Sequence, residues 1–284
     1  LAAKKRWSWP LLGKLTMTTT LKALGGRLRG QIRLIWLIGL NTFKETIRDR
    51  ILYLIVVFSI IVIAATLLAA SVSLGQDVRV IKSFGLQAML FLLLVITVFS
   101  GTQLIWREIE RQTIYFILTK PVSREIWLLG KYLGLALTVT LVGLIMGTEF
   151  LILLKVKGVL ELIPTIATIC FILLESYLVI AISLFFSSFA APLSSAIYTF
   201  LVVLVGHSSS TLWLISQKAS PAIKYLLETI YYLFPNLEKF NLRNELIYGL
   251  TVDRAQLLAV LGYFVGYSLV LLLLAMAAAR RGEY

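Results

Sequence analysis

Apolar stretches without a charged residue alternate with short charged segments along this chain. The charge-free runs cover residues 51–76, 83–106, 132–148, 162–174, 176–217 and 255–279. A helix needs about 20 predominantly apolar residues to cross the hydrocarbon of a bilayer. The run 176–217 is too long for one crossing, and residues 187–192 break it because Pro192 can begin a new helix. If the third and fourth spans are each allowed one glutamate, the sequence predicts six transmembrane helices. They cover about 51–75, 84–106, 131–154, 162–187, 193–215 and 256–279.

The composition places this all-α, polytopic chain among membrane proteins. Hydrophobic residues make up 59% and charged residues 14% of its 284 positions, against roughly 45–50% and about 25% in soluble domains. A soluble core cannot hold so much apolar surface without exposing large apolar patches, which argues against a water-soluble enzyme. The single cysteine, Cys170, excludes a disulfide framework and a cysteine-rich metal site.

Basic residues are distributed unequally between the two ends of the predicted spans. With six spans both termini lie on one side, and that side holds two thirds of the 27 lysine and arginine residues. Because short cytoplasmic segments hold the excess of basic residues, we predict a multi-pass protein of the cell inner (plasma) membrane with both termini cytoplasmic. This rule and contact with anionic membrane lipids account for the net charge of +13, so we expect no nucleic-acid partner.

The segment before the first span divides into two parts. Residues 1–30 are basic and have no apolar core of the signal-peptide kind, which predicts a mobile cytoplasmic arm ahead of a six-helix transmembrane domain at 31–284. In 31–50 apolar residues recur at helical spacing, at Ile32, Ile35, Trp36, Leu40, Phe43 and Ile47. The opposite face is mostly polar, which predicts an amphipathic elbow helix in the headgroup plane. The alternative is an extension of the first span.

The loop after the second span has the pattern of a short amphipathic helix. One face carries Ile109, Thr113, Phe116 and Ile117, and another carries Glu108, Arg111 and Tyr115. Pro121 disfavours helix at Lys120, and Ser123 can cap the next helix with Glu125 in its first turn. We predict a cytoplasmic helix that connects two spans and can act as a lever. A solvated connecting loop fits the charges of this segment but not its apolar face.

A second short helix is predicted between the fifth and sixth spans. Ser220 and Pro221 form a helix start, and Pro235 marks a stop. Between them an apolar stripe faces away from Lys224 and Glu228. At about 14 residues the helix is too short to span a bilayer, so we expect it to lie against the outer membrane surface.

These segments together resemble the permease subunit of ATP-binding cassette (ABC) transporters of the type-two export family. The resemblance extends from residues 41–50 through the segment 231–236 to the sixth span. Its most specific part comprises Arg107-Glu108, Thr113, the run Lys120-Pro121-Val122-Ser123-Arg124, and Leu129-Gly130-Lys131. The resemblance implies that residues 107–120 form the coupling helix, which docks in a cleft of a separate ATPase subunit. The family often has glycine where this chain has Gln112.

The resemblance also implies which residues and partners serve this coupling. Charged side chains would set the register of docking and its specificity, while aromatic and aliphatic ones would fill the cleft. The expected ATPase-coupling residues are Glu108, Glu110, Arg111, Thr113, Phe116, Ile117, Lys120 and Arg124. The chain has no phosphate-binding loop of the Gly-x-x-x-x-Gly-Lys-Ser/Thr type, so ATP and magnesium would be bound by the partner ATPase. We expect no enzyme activity, cofactor or metal of its own, and pairing with a second copy or a related permease.

Two acidic residues fall inside predicted spans. Charged groups in hydrocarbon cost several kcal/mol and usually face a protein interior, so Glu175 and Glu149 are candidates for contact with a substrate or a proton. Protonation or bonding to a neighbouring helix would explain them equally. His207, followed by three serines, is better explained by helix packing than as a catalytic base, and it joins the candidate pathway residues.

Two other functions fit the sequence less well than an ATP-driven exporter. A secondary transporter or channel would use Glu149 and Glu175 without an ATPase, but the sequence lacks matched broken helices in its two halves. An intramembrane hydrolase lacks a recognisable nucleophile motif. No residue pattern selects a substrate.

Overall fold

The computed structural model of the chain describes residues 12–48, 77–110, 123–242 and 254–281, with isolated positions between 53 and 68. Regular structure in these ranges is helical. The helices are α1 (Leu12–Ile47), α2 (Asp77–Glu110), α3 (Arg124–Val156), α4 (Leu162–Ser187), α5 (Pro192–His207), α6 (Ser209–Ser216), α7 (Pro221–Leu233), the 3₁₀ helix η1 (Leu237–Phe240) and α8 (Arg254–Arg281).

The chain is an all-α polytopic membrane protein. Within the described residues, four helices are long and apolar enough to cross a membrane: Val78–Leu104, Arg124–Val156, Leu162–Ser187 and Ala255–Arg280. The pair α5 and α6 passes the same test as a fifth, although it is bent by 60°. Most of the predicted span 51–75 lies outside the described residues, so the number six stays a prediction.

Three of the spans that the structure describes extend beyond the predicted ranges into the charged residues that flank them. The bounds of α4 coincide with the predicted 162–187, whereas α2, α3 and α8 each continue past the apolar run at both ends. The 33 residues of α3 make a rod of about 50 Å, well over the roughly 30 Å of hydrocarbon. Charged side chains at such ends reach the headgroups while the helix continues into water.

The first helix begins earlier than the sequence pattern indicates. It starts at Leu12, just after Pro10, and continues to Ile47, so it includes most of the predicted arm of residues 1–30. No proline interrupts this stretch, and its glycines each cost about 1 kcal/mol of helix propensity, which does not end a helix. Residues 1–11 lie outside the described part.

The helix α1 does not lie by itself at the surface but packs along α3. At this contact Gly39 of α1 meets Gly130 and Gly134 of α3. A Cβ atom at Gly134 would lie 2.6 Å from the carbonyl oxygen of Gly39 and 2.5 Å from the Cβ of Thr42. The absence of side chains at these glycines lets the two backbones approach closely.

The fifth predicted span, 193–215, is not one straight helix. It divides at Ser208 into α5 and α6. The hydroxyl of Ser208 donates to Leu204 O at 2.9 Å, and that of Ser209 donates to Gly206 O at 2.8 Å. Serine hydroxyls bound in this way compete with the backbone ladder and favour a bend. The 16 residues of α5 rise about 24 Å, less than the roughly 30 Å of hydrocarbon, so α5 alone is too short to cross it.

Helix α4 is the centre of the bundle. It contacts α2, α3, α5 and α8, and most of its side chains are buried. One apolar cluster joins α4 to α2 and α3, and a second joins it to α5 and η1. A residue on α4 therefore faces protein on nearly every side, in contrast to the largely exposed α8.

Candidate functional site

A buried carboxylate and an imidazole meet where the bent span breaks. Glu175 lies near the middle of α4, and its side chain is 2% exposed. Its Oε1 is 2.8 Å from Nε2 of His207, the last residue of α5. The contact has the distance of a hydrogen bond but not its angle. Two of the predicted pathway residues are thus brought together.

The other ring nitrogen of His207 is bound to its own helix. Nδ1 lies 3.0 Å from Val203 O, and because a carbonyl oxygen only accepts, Nδ1 carries a proton and donates it there. Nε2 is the ring nitrogen that faces Glu175. A buried acid opposite a group that can carry a positive charge costs less in a membrane than an acid without such a partner.

The serines after His207 serve the backbone rather than the imidazole. The hydroxyls of Ser208 and Ser209 bind backbone carbonyls of α5. The ring nitrogens of His207 face Val203 O and Glu175. A hydrolase would need the imidazole to face a hydroxyl, so the observed arrangement supports a role in helix packing and charge pairing.

The segment after α7 returns to cover the break. A Cβ atom at Gly206 would lie 2.7 Å from Pro235 O, and Leu237 is fully buried against the same region. The backbone amide of Ser210 donates to Glu238 Oε2 at 3.0 Å. A carboxylate at the first turn of α6 satisfies an amide there and opposes the positive end of the helix. The 3₁₀ helix η1 therefore holds α6 at its angle.

Helix α8 fixes this returning segment in place. The hydroxyl of Tyr263 accepts a hydrogen bond from Asn236 N at 2.7 Å, and the hydroxyl of Tyr267 donates to Leu233 O at 2.8 Å. The ammonium of Lys239 lies 4.2 Å from the centre of the Tyr263 ring, within range of a cation–π contact. The helix α7 runs from Pro221 to Leu233 after Ser220, as predicted.

The third pathway candidate, Glu149, is bound elsewhere. Its Oε2 accepts a hydrogen bond of 2.9 Å from the hydroxyl of Ser59. Glu149 is on α3, whereas Ser59 lies in the predicted first span. The two intramembrane acids thus have different partners, and this contact joins α3 to the first span.

One ion pair between helix ends was not anticipated from the sequence. The ammonium of Lys82 on α2, with 4% of its side chain exposed, lies 2.9 Å from Glu161 Oε1 at the start of α4. Both residues lie just outside charge-free runs of the sequence, which places each of them near the end of a span. The sequence alone does not show that these two helix ends are neighbours.

The start of α3 is tied to the end of α8. The hydroxyl of Ser123 accepts from Ile126 N at 3.4 Å, which confirms the predicted cap. Arg124 Nη1 donates to Ala279 O at 2.7 Å, and Arg280 Nε donates to Glu125 Oε1 at 2.8 Å. We call these last two contacts the α3–α8 clamp. Arg124, predicted to face the ATPase, binds the backbone of α8.

Most of the predicted coupling residues fall in or beside a range that the structure does not describe. Glu108 and Glu110 belong to the last turns of α2, which continues past the predicted end of the second span. The others, Arg111, Thr113, Phe116, Ile117 and Lys120, lie outside the described residues. The described part shows where the segment attaches: it leaves α2 at Glu110 and enters the cap of α3 at Ser123.

Among the described residues no group of three His, Cys, Asp or Glu side chains is placed to hold a metal ion. The family model of ABC-2 family transporter proteins matches residues 36–281 of the chain. No curated protein matches the chain.

Proposed function

The chain belongs to the ABC-2 transporter family, and from that premise we propose that it is the membrane half of an ATP-driven exporter. As a member of that family it is a permease subunit of an ABC transporter and a multi-pass membrane protein. In the proposed cycle a separate ATPase subunit binds ATP and magnesium. Its closure moves the coupling segment 107–120, and the movement opens a pathway for substrate toward the outside, with both chain termini on the cytoplasmic side.

The position of α3 is the observation that supports this coupling route. Its capped first turn directly follows the coupling segment, and α3 packs against α1, α2, α4 and α8. A force applied before Ser123 therefore reaches four other helices through one rod. The α3–α8 clamp adds a polar connection at the same end, so α8 would move with α3.

The pair of Glu175 and His207 supports a place for the substrate pathway. It lies beside the break in a span, where polar side chains satisfy backbone groups that a continuous helix would satisfy internally. We propose that movement of α3 and α4 changes the angle at this break and that polar parts of the substrate pass near it. Glu149, bound to Ser59, would serve at a separate point along the path.

The positions of the two membrane acids give little support to the alternative of a secondary transporter. A coupled ion site would be expected to join the two membrane acids, whereas Glu149 binds Ser59 and Glu175 meets His207. The proposed assembly contains two permeases, either two copies of this chain or this chain and a relative, because the six predicted spans of one chain would then become twelve. The exposed apolar side chains of α8 and α5 offer surfaces for lipid and for a second permease.

The proposal is tested by purifying the chain from its native membranes and measuring ATP hydrolysis by what purifies with it. We expect an ATPase subunit to co-purify, and the Glu108→Lys or Phe116→Ala substitution to reduce that association or uncouple hydrolysis from transport. A matched control is Glu228→Gln on the outer helix α7, which should change neither. A chain that transports in vesicles without nucleotide, and retains no ATPase, would contradict the proposal.

A further inference from the structure

A groove opens at the membrane face where α3 begins and α8 ends. It has a volume of about 660 Å³ and lies between α1, the first turns of α3 and the last turns of α8. That volume is in the range of sites that hold small organic molecules, about 300–1,000 Å³. Because α1, α3 and α8 all contribute to it, a molecule bound there would contact three helices at once.

The residues that line the groove change from polar to apolar along α3 and α8. Ser123, Glu125 and Arg280 line it at the helix ends, which we call its rim. Leu129 and Leu273 line it farther along α3 and α8 from those ends, and Ile35 of α1 also lines it. Leu273 lies two turns before Arg280 on α8, which is about 10 Å farther into the membrane. A ligand that fits has a polar head at the surface and a hydrocarbon chain below it, which describes a membrane lipid.

The charges at the rim indicate which headgroup fits. Glu125 and Arg280 are in contact, and their side chains remain 36% and 67% exposed. Arg280 Nε donates to Glu125 Oε1, and the guanidinium has five N–H donors, so others remain for a phosphate. The second carboxylate oxygen of Glu125 can accept from an ammonium. The rim therefore presents one positive and one negative group side by side.

We propose that this groove binds a zwitterionic phospholipid with a primary amine, such as phosphatidylethanolamine. The phosphate would contact Arg280, and the ammonium would contact Glu125. An anionic lipid has a phosphate but would meet the carboxylate with no ammonium. A choline headgroup has the right charges but no N–H to donate. The proposal concerns the membrane-embedded chain and does not depend on ATP coupling.

The consequence for the protein is a lipid that bridges the α3–α8 clamp. Both charged members of the rim belong to helices that the clamp joins, and Ile35 belongs to α1. A bound headgroup would join the Glu125 and Arg280 side chains through its own two charges. The occupied groove is thus expected to stabilise the contact among α1, α3 and α8.

Native mass spectrometry of the purified full chain, delipidated and then titrated with single lipids, tests this site. The probes are dioleoyl phosphatidylethanolamine, phosphatidylcholine and phosphatidylglycerol, which share their acyl chains. We expect phosphatidylethanolamine to bind about five- to tenfold more tightly than phosphatidylcholine, as one charge-assisted hydrogen bond predicts. Equal binding of the three lipids would overturn the proposal.

Variants locate the binding in the groove. Glu125→Gln should abolish the preference for phosphatidylethanolamine over phosphatidylcholine, and Leu273→Trp, which fills the groove and keeps both charges, should weaken binding of all three lipids. Glu228→Gln removes a carboxylate from the surface pair with Lys224 and should change nothing. Circular dichroism confirms that each variant is folded. A preference that persists in Glu125→Gln, together with undiminished binding in Leu273→Trp, would show that the lipid binds elsewhere and would contradict the assignment.

Discussion

His207 Nε2 lies 2.8 Å from Glu175 Oε1, at the point where α5 gives way to α6. The contact joins the bent span to α4, the helix that contacts four others. Because the carboxylate is nearly inaccessible to solvent, its stability in this position depends on the imidazole. The angle of the bend and the packing of the central helix are therefore connected through two side chains.

The first prediction is an energetic coupling between these two residues. Glu175→Gln and His207→Gln, alone and combined, should show an interaction energy of about 1–3 kcal/mol in a double-mutant cycle, since each single change leaves one buried partner without its match. The measurement is the free energy of unfolding in detergent micelles.

The partly exposed pair Lys224 and Glu228 on α7 provides the control for that cycle. Its charged atoms are 3.8 Å apart in an i,i+4 arrangement, and pairs of this kind contribute about 0.3–0.5 kcal/mol. If the interaction energy between the Glu175 and His207 substitutions is no larger than that of the control pair, the contact has no role in holding the bend.

The second prediction concerns the close approach of α1 and α3. Gly134→Ala places a methyl group against Gly39 O and Thr42, where the backbone must move, and overpacking of this kind costs about 1–3 kcal/mol. Gly30→Ala on α1 is the matched control, because nothing lies within 4 Å of its added Cβ. We expect a lower melting temperature for the first variant and an unchanged or slightly higher one for the second, since alanine favours helix.

Thermal unfolding of the two purified variants distinguishes packing from propensity. If both alanine substitutions raise the melting temperature alike, α1 does not pack against α3 in the membrane protein. The elbow helix then lies separately at the membrane surface, as the amphipathic pattern alone predicts.

The third prediction concerns the α3–α8 clamp. Glu125→Lys places two positive charges together, and since exposed ion pairs are worth about 1 kcal/mol or less, we expect local rather than global loosening. Hydrogen exchange of amides in the first turns of α3 and the last turns of α8 should become about fivefold faster, while the melting temperature stays within a few degrees.

The charge-swapped chain, with Glu125→Arg and Arg280→Glu together, controls for the substitution itself. It restores opposite charges at the same two positions, so exchange should return toward that of the unchanged chain. Exchange rates that are equal in all three proteins would mean that the two helix ends are held by apolar packing alone.

The sequence predicts local features well where one residue decides them. Ser123 caps α3 because its hydroxyl reaches an amide three residues later, and Ser220 with Pro221 begins α7 because proline suits the first helical position. The bounds of α4 follow from an uncharged run, interrupted once by Glu175, that begins after Glu161 and ends at the break before Pro192. These are short-range effects, and each is visible in a few neighbouring positions.

The features that were missed depend on contacts between distant segments. The bend at Ser208 is not visible in hydropathy, because serines inside an apolar run count as ordinary span residues and their back-bonding appears only in the folded helix. Glu175 and His207 were proposed separately, since their meeting depends on how α4 and α5 are rotated about their axes. The pairing of Lys82 with Glu161 likewise depends on which helix ends adjoin.

The most direct test of the central claim, that force from an ATPase enters between α2 and α3, is a crosslinking measurement at Thr113. Cys170 is replaced by serine to remove the one native thiol, and Thr113→Cys is combined with a bifunctional thiol reagent in the complex with its ATPase subunit. We predict a crosslink to the ATPase whose yield changes when ATP binds, and labelling of Thr113→Cys by an impermeant maleimide from the cytoplasmic side. Labelling from the opposite side only, with no crosslink to the ATPase, would contradict the account.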